Sequence, residues 1–469
     1  MMKYILTFCI TTFFVFVIRA QSGSIDSSFN TSDTGLANQG FSFVINDMTI
    51  QSDGKIIVGG SFSNFNGTTT NYITRLNSDG TLDTTFNIGT GANNPIYCTA
   101  IQSDGKILIG GPFTLLNGTS VNRIARLNTD GSIDNTFTIG TGFSLNDDLK
   151  VIVIQNDGKI IVGGDFTLFN GSIRNKILRL NSNGSLDNTF NIGNGFNNTV
   201  HDIKIQNDGK IIVGGNFTSF NGTTRNRIIR LNQNGTNDTS FNPGLGASSV
   251  IRTISVQNNG KIIIAGNFTS FDGVVKNKMT RLNSDGTVDG DFSTGNGFDN
   301  IVYCSSIQSD DKIVISGNFN LFNGINTNRI VRLNSDGSFD STFNVGNGAN
   351  DYILATSIQN DGKIIIGGAF TSYNGTLKNR IARINNDQSL GTELFENKGL
   401  IVYPNPVSNF LNIDTNKKID LISVYNLQGQ LVLESKNNEK INVESLTSGQ
   451  YTMKIISENK TQIKKFIKF

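Results

Sequence analysis

The string Gln51-Ser52-Asp53-Gly54-Lys55 returns, with small changes, at Gln102, Gln155, Gln206, Gln257, Gln308 and Gln359. Successive copies lie 51, 53, 51, 51, 51 and 51 residues apart. A period this regular means that one supersecondary unit is used seven times and buries its faces against its neighbours. In the first copy an apolar stretch ends at Ile50, Asp53-Gly54 makes a tight turn, and Lys55 to Gly60 forms a second stretch closed by Phe62. A loop at Phe65-Asn66-Gly67 leads to a third stretch, Asn71 to Asn77. After the turn Asp79-Gly80 a short fourth stretch runs to Phe86. Asp-Gly and Asn-Gly supply the positive φ of hairpin turns, so each unit reads as a four-stranded antiparallel meander. Gly59-Gly60 marks a close approach of a neighbouring backbone or ring. Composition agrees, since 51 Gly, 5 Pro and no Trp describe a turn-dense all-β chain.

Four-stranded units of this length form β-propeller blades, whereas the coils of a parallel β-helix are shorter and need no Asp-Gly hairpins. The ends of the array point the same way. The seventh copy stops at Arg383-Ile384-Asn385 without a fourth strand. The missing piece stands near the N-terminus, where Ser24-Ile25-Asp26-Ser27-Ser28-Phe29 matches Ser132-Ile133-Asp134-Asn135-Thr136-Phe137. The expected fold is all-β: a seven-bladed β-propeller over residues 21–385, closed by its N-terminal strand so that no edge stays open.

Residues that recur in every copy hold the blade. Phe62, Phe113, Phe166, Phe217, Phe268, Phe319 and Phe370 follow the second strand, and Phe29, Phe86, Phe137, Phe190, Phe241, Phe292 and Phe343 end the fourth. Each ring, once buried, is worth roughly 1.5–3 kcal/mol of core. An Arg recurs in the third strand between apolar neighbours, where a guanidinium must be paired. The acid in step with it lies on the fourth strand. Seven bidentate pairs follow: Arg75–Asp83, Arg126–Asp134, Arg179–Asp187, Arg230–Asp238, Arg281–Asp289, Arg332–Asp340 and Arg383–Asp26, the last locking the two ends together. The turn from Asn77 to Asp83 also resembles a short calcium loop. Asn183 and Asn234 replace its middle Asp in two copies and no bidentate Glu follows, so a plain hairpin turn is preferred and no cofactor is expected.

Cys98 and Cys304 take the same place in units two and six, too far apart around a ring for the ~5.5 Å Cα separation of a disulfide, and read as buried free thiols. His201, the one histidine, reads as a surface imidazole. The segments that vary between copies, such as 92–96, 143–150, 196–201 and 298–303, lead into each first strand, and unit three adds the acidic pair Asp147-Asp148. These loops are expected to gather on one face, where a ligand would touch.

The formal charge of +2 argues against nucleic acid or an anionic membrane as the main partner. Every Glu lies at or after Glu393 and every Arg at or before Arg383, a shift that marks two modules. Without Glu and with one His in the first 392 residues, acid–base catalysis is a poor reading, and no enzyme is expected. Residues 1–20 form a secretory signal peptide: Lys3, an apolar run from Tyr4 to Val17, and a small residue at the cleavage point Ala20–Gln21. The run is too short for a spanning helix, so the mature protein is expected to have no membrane span.

The units, read as I-Q-x-D-G-K-I-I-V-G-G-x-F followed by N-R-I-x-R-L-N-x-D-G-x-x-D-x-x-F, resemble the delta-60 repeat of bacterial β-propellers over about residues 24–385. That resemblance implies the fold and no activity. Residues 400–469 resemble a type IX secretion sorting domain of the type A class, found in Bacteroidota. The residues that carry this are Pro404-Asn405-Pro406 after Tyr403, the Tyr425–Gln430 segment with Gly429, Gly449 and Tyr451, and the basic end with Lys464 and Lys465. Strand patterning there indicates a small Ig-like β-sandwich, after a linker at 386–399. The resemblance implies reading by the outer-membrane translocon, cleavage of the domain, and release or attachment at the cell surface. The function expected is a secreted or surface-held binding or adhesion propeller for an unknown glycan or protein. A structural surface protein without a discrete ligand is the alternative, and a hydrolase or lyase using Asp and Lys at the channel mouth comes last.

Overall fold

The computed structural model describes residues 21–386 apart from Leu145, and residues 400–469 apart from 416–417, 427–429, 437–438 and 458–459. It divides after residue 388 into two compact units. The expected signal peptide with Ala20, linker residues 387–399 and Gly429 lie outside the described residues, and Gln21 is exposed.

The first unit holds seven copies of one antiparallel sheet. In the first copy an inner strand, Ile45–Ile50, pairs with a middle strand, Ile56–Gly60, which pairs with an outer strand, Ile73–Leu76. The same three-strand order recurs in the other six. The fourth stretch, expected as a strand, keeps a single bridge, Leu76 to Leu82. The reason is local. The Asp83 N–H donates to the Arg75 carbonyl, and Asp83 Oδ1 then accepts the Thr85 N–H and hydroxyl, which turns the chain out of the ladder. The loop between middle and outer strands carries its own hairpin, Asn64–Phe65 with Thr68–Thr69.

Burial follows from where the sheets meet. Middle strands such as Ile211–Gly215 are buried at every position, because both faces are covered. Each core straddles two copies: Val151 and Ile161 of the third pack with Ile203, Ile211 and Phe217 of the fourth. The first and seventh copies share a core in the same way, with Ile45, Phe62 and Phe29 against Ile365 and Ile381. Ile25 bridges Ile384, the Asp26 N–H donates to Arg383 O at 2.7 Å, and the Asn385 N–H donates to Ser24 O at 2.8 Å. Lys378 Nζ, buried, donates to the carbonyls of Asn30 and Asp33 at 2.9 and 2.8 Å.

All seven Arg–Asp partners are in contact, with a geometry other than the expected bidentate fork. Arg75 Nε lies 2.6 Å from Asp83 Oδ2, and Lys55 Nζ shares that oxygen at 2.9 Å. Arg75 Nη1 instead donates to Thr129 O of the next copy at 2.5 Å, and the guanidinium lies 4.7 Å over the Phe86 ring. The pattern repeats for Arg126, Arg179, Arg230 and Arg281 with Asp134, Asp187, Asp238 and Asp289, and for Arg332 with Asp340 except that its Nη1 donates to the side-chain oxygen of Asn386. Arg383 takes Asp26 Oδ2 at 2.8 Å and donates through Nη1 to Ser78 O of the first copy at 2.6 Å. Both carboxylate oxygens of Asp83 are thus engaged by donors of its own copy.

Burial pushes these carboxyls up, but hydrogen bonds from the residue two positions on (Thr or Ser, with the Asp291 N–H at Asp289), from Lys and from Arg outweigh it and hold all seven below the usual range, Asp340 at about 2. The sign is that of depressed acids: the stabilisation is fully present above the unfolded value of ~4 and is lost as pH falls through the folded values. The urea midpoint is therefore expected to hold between pH 8 and 5 and to fall steeply from pH 4 to 2. Asp238→Asn should flatten that fall. A midpoint insensitive to pH down to 2 contradicts it.

The C-terminal unit is two antiparallel sheets. One orders Leu400–Tyr403, Phe410–Thr415 and Lys440–Asn442; the other orders Leu431–Lys436, Ile419–Tyr425, Gly449–Ser457 and Lys460–Lys468. Leu411, Ile422, Val424, Val443, Met453 and Ile455 fill the core. Asn405 joins the motif to the last strand, its Oδ1 accepting the Ile467 N–H at 2.9 Å and its Nδ2 donating to Lys465 O at 3.2 Å. Tyr451 stacks on Phe466 at 5.5 Å and donates to Thr447 O. Pro404 and Pro406 both follow cis peptide bonds. Lys465 is exposed and Lys464 half-buried on the last strand.

Candidate functional site: a cavity ringed by the inner strands

Six of the seven inner strands contain a bulge at the same place. Their ladders skip one residue between Ile45 and Asp47, Leu149 and Val151, Val200 and Asp202, Ile251 and Thr253, Val302 and Cys304, and Ile353 and Ala355. The residues left out of register are Asn46, Lys150, His201, Arg252, Tyr303 and Leu354. Tyr97 stands at the corresponding place in the second copy. A bulge bends the strand and re-aims the extra side chain.

The glycine pair makes room for it. A Cβ on Gly215 would sit 2.2 Å from Thr199 O, the carbonyl just before the bulge, and the second glycine of every copy meets the equivalent carbonyl at 2.2–2.4 Å. The first glycine faces the next copy's inner strand, and Ala265 and Ser316 replace it in two copies. So the close approach expected at Gly59-Gly60 is real, and its backbone partner belongs to the same copy.

Side chains from all seven inner strands border one cavity of about 650 Å³. Lys150 Nζ lies 4.3 Å over the Tyr97 ring and 3.3 Å from Asp148 Oδ2. Arg252 Nη1 lies 3.3 Å from His201 Nδ1. Farther along the strands, Asp202 Oδ1 accepts Lys204 Nζ at 2.9 Å while its Oδ2 accepts the Ile254 N–H of the next copy at 2.7 Å. Asp47 Oδ2 takes the Thr99 N–H and hydroxyl at 2.6 and 2.9 Å. Ile50, Ile307 and Ile358 border the end nearest the Asp-Gly turns.

The wall mixes charges in a half-dry setting. Burial, with Arg252 and Lys150 beside it, pushes the His201 imidazolium down to about 3, so the ring is neutral and accepts from Arg252. Burial raises the Asp47 carboxyl and lifts the Cys98 and Cys304 thiols, keeping both thiols protonated. Cys98 and Cys304 are free and border the cavity; Cys98 is buried and Cys304 half-buried. His201 is thus a cavity-wall residue and not the expected surface imidazole.

The variable segments deliver Lys150, His201 and Tyr303 to the cavity, while Asp147 turns back to accept the Ser144 N–H at 2.8 Å. Asp47, Asp202, Lys204 and Arg252 were not foreseen there. For Arg252 the signal was a column five residues before each repeated Gln, where seven copies show six residue types. Among the described residues no group of three or more His, Cys, Asp or Glu could hold a metal ion, and no helix is long and apolar enough to cross a membrane.

The secretion system C-terminal sorting domain model matches residues 401–469. The domain of unknown function (DUF5122) β-propeller model matches seven times: 51–86, 102–137, 155–190, 206–241, 257–301, 308–343 and 359–390. No curated protein matches the chain. Among solved structures, the WD40 β-propeller domain of Doa1 is similar at 16% identity and TM-score 0.50, over 76% of this chain and 98% of that one. PorZ, described as a bacterial surface component of the type IX secretion system of Porphyromonas gingivalis, is similar at 15% identity and TM-score 0.45, over 92% of this chain and 60% of its own. The extracellular domain of a putative hybrid two-component system from B. thetaiotaomicron follows at 11% identity and TM-score 0.43, over 94% and 57%. The sorting domain makes the chain a secreted or cell-surface protein exported through the type IX system. With more than half of its residues matched by the repeat model, the chain belongs to the DUF5122 β-propeller family.

Proposed function

We propose that the seven copies close into one ring, with residues 24–29 completing the seventh blade, and that the ring is a binding module whose ligand, a glycan or a protein, enters at the bulged ends of the inner strands. The mature module spans 21–385 after cleavage at Ala20–Gln21. A linker at 386–399 separates it from the sorting domain, 400–469, which the translocon reads and removes. The seven Arg–Asp pairs, Arg383–Asp26 among them, serve the ring and not the ligand. Cell-surface retention or release follows sorting.

One observation carries the binding reading. The residues at this level are Asn46, Tyr97, Lys150, His201, Arg252, Tyr303 and Leu354, all but Tyr97 at a bulge, while the buried middle-strand columns behind them scarcely change. A purely structural ring has no use for such variety at one level. An array of surface glycans screened with the mature protein is the test. Selective retention that a loss of Arg252 or Tyr303 abolishes is expected, and silence on glycan and protein arrays alike would favour a structural element. Export has a separate readout: deleting 400–469 is expected to leave the propeller inside the outer membrane.

A further inference from the structure

We infer that the bulged end of the central cavity binds an acidic sugar unit, one carboxylate on a hydroxylated ring, with Arg252 as its anchor; this rests on the binding reading above. Three consecutive copies place Lys150, neutral His201 and Arg252 at the same level, so the two cations Lys150 and Arg252 stand on one side of the cavity. Lys150 has a counter-charge in Asp148. Arg252 has none among the described residues: its one polar contact is His201 Nδ1, and its Nε is buried without a partner. A half-buried guanidinium with free donors lacks an anion, and its planar fork fits a carboxylate. His201, held neutral, orients the fork without neutralising it.

The flanks decide against a bare ion. Tyr97 and Tyr303 stand on either side of the basic arc, and aromatic faces receive the C–H side of a sugar ring. At about 650 Å³ the cavity has room for a sugar rather than a single anion.

The test is calorimetric titration of the full mature chain with glucuronate, galacturonate, a galacturonate tetramer, glucose and inorganic sulfate. A uronate is expected to bind at least tenfold more tightly than glucose and sulfate. Arg252→Gln should weaken it by roughly 10–100-fold, the loss of one charge-assisted fork, and Lys150→Gln by less. Unchanged melting temperatures in both variants separate this from a folding defect. A tetramer that binds better than the monomer identifies a polysaccharide source, and the reverse a free acid. Sulfate binding as well as uronate, uronate binding untouched by Arg252→Gln, or no uronate binding overturns the inference. A neutral glycan retained on the array while uronates stay silent overturns it and leaves the binding reading standing; silence everywhere removes both.

Discussion

Asp26→Ala is expected to destabilise the seven-copy unit by about 3–5 kcal/mol, the loss that follows when one partner of a buried ion pair is removed. The substitution strands Arg383 and Lys363, which both reach Asp26 Oδ2 at 2.8 Å, and frees the hydroxyl and N–H of Ser28. It differs in kind from Asp238→Ala. Asp238 lies eight residues from its Arg230, so its loss loosens one copy from within. Asp26 is 357 residues from Arg383, and with it goes the one ion-paired tie between the two ends among the described residues, leaving the hydrogen bonds of Lys378 and Tyr373 to hold the segment. Urea unfolding should show a lower midpoint for both variants. Only Asp26→Ala should also expose the segment before Phe41 to limited proteolysis under native conditions. Equal protease resistance in the two variants would falsify this account of the seam.

Gly215→Ala is expected to cost about 3 kcal/mol or more, and Gly214→Ala under about 1.5 kcal/mol, although the two are adjacent in one strand. The added methyl at 215 meets Thr199 O at 2.2 Å and Val200 Cα at 3.0 Å, so backbone must move. The move would disturb the bond from Asn216 N–H to Thr199 O, 2.8 Å long, and with it the bulge that holds His201. At 214 the methyl meets only side-chain atoms, Ile254 Cδ1 at 2.8 Å and Ile251 Cγ2 at 2.9 Å, and Ala265 shows that a Cβ fits at the equivalent place. Thermal unfolding of the two variants, measured side by side, checks the contrast; equal losses would mean that the bulge is not what the second glycine serves.

Much of the architecture could be read from the repeats because it is written seven times. Arg383 and Asp26 could be matched across the chain because the other six pairs showed what each lacked. The geometry of the pair was not legible, since Nη1 goes to a carbonyl of the next copy, such as Thr129 O, and a repeat does not say what its neighbour offers. The fourth strand was overread for a similar reason: the apolar residue at 82 suits a ladder, but Asp83 diverts the chain by bonding to Thr85. The cavity wall was the least visible part. His201 looked like a loop residue because alternation along a strand fails at a bulge, where two residues oppose one. The double glycine held the clue, as a request for space whose beneficiary lay fourteen residues before the second of the pair.

The pairing of Ile25 with Ile384 has a consequence for the order of events in the cell. A chain made N-terminus first must carry its opening segment unmatched until residue 384 has appeared, because its β-partner is made late. Six interfaces can form on the way, the final one cannot, and joining it requires a very long loop to close. A product truncated before Ile384 therefore never acquires this seam, and its leading residues keep no β-partner.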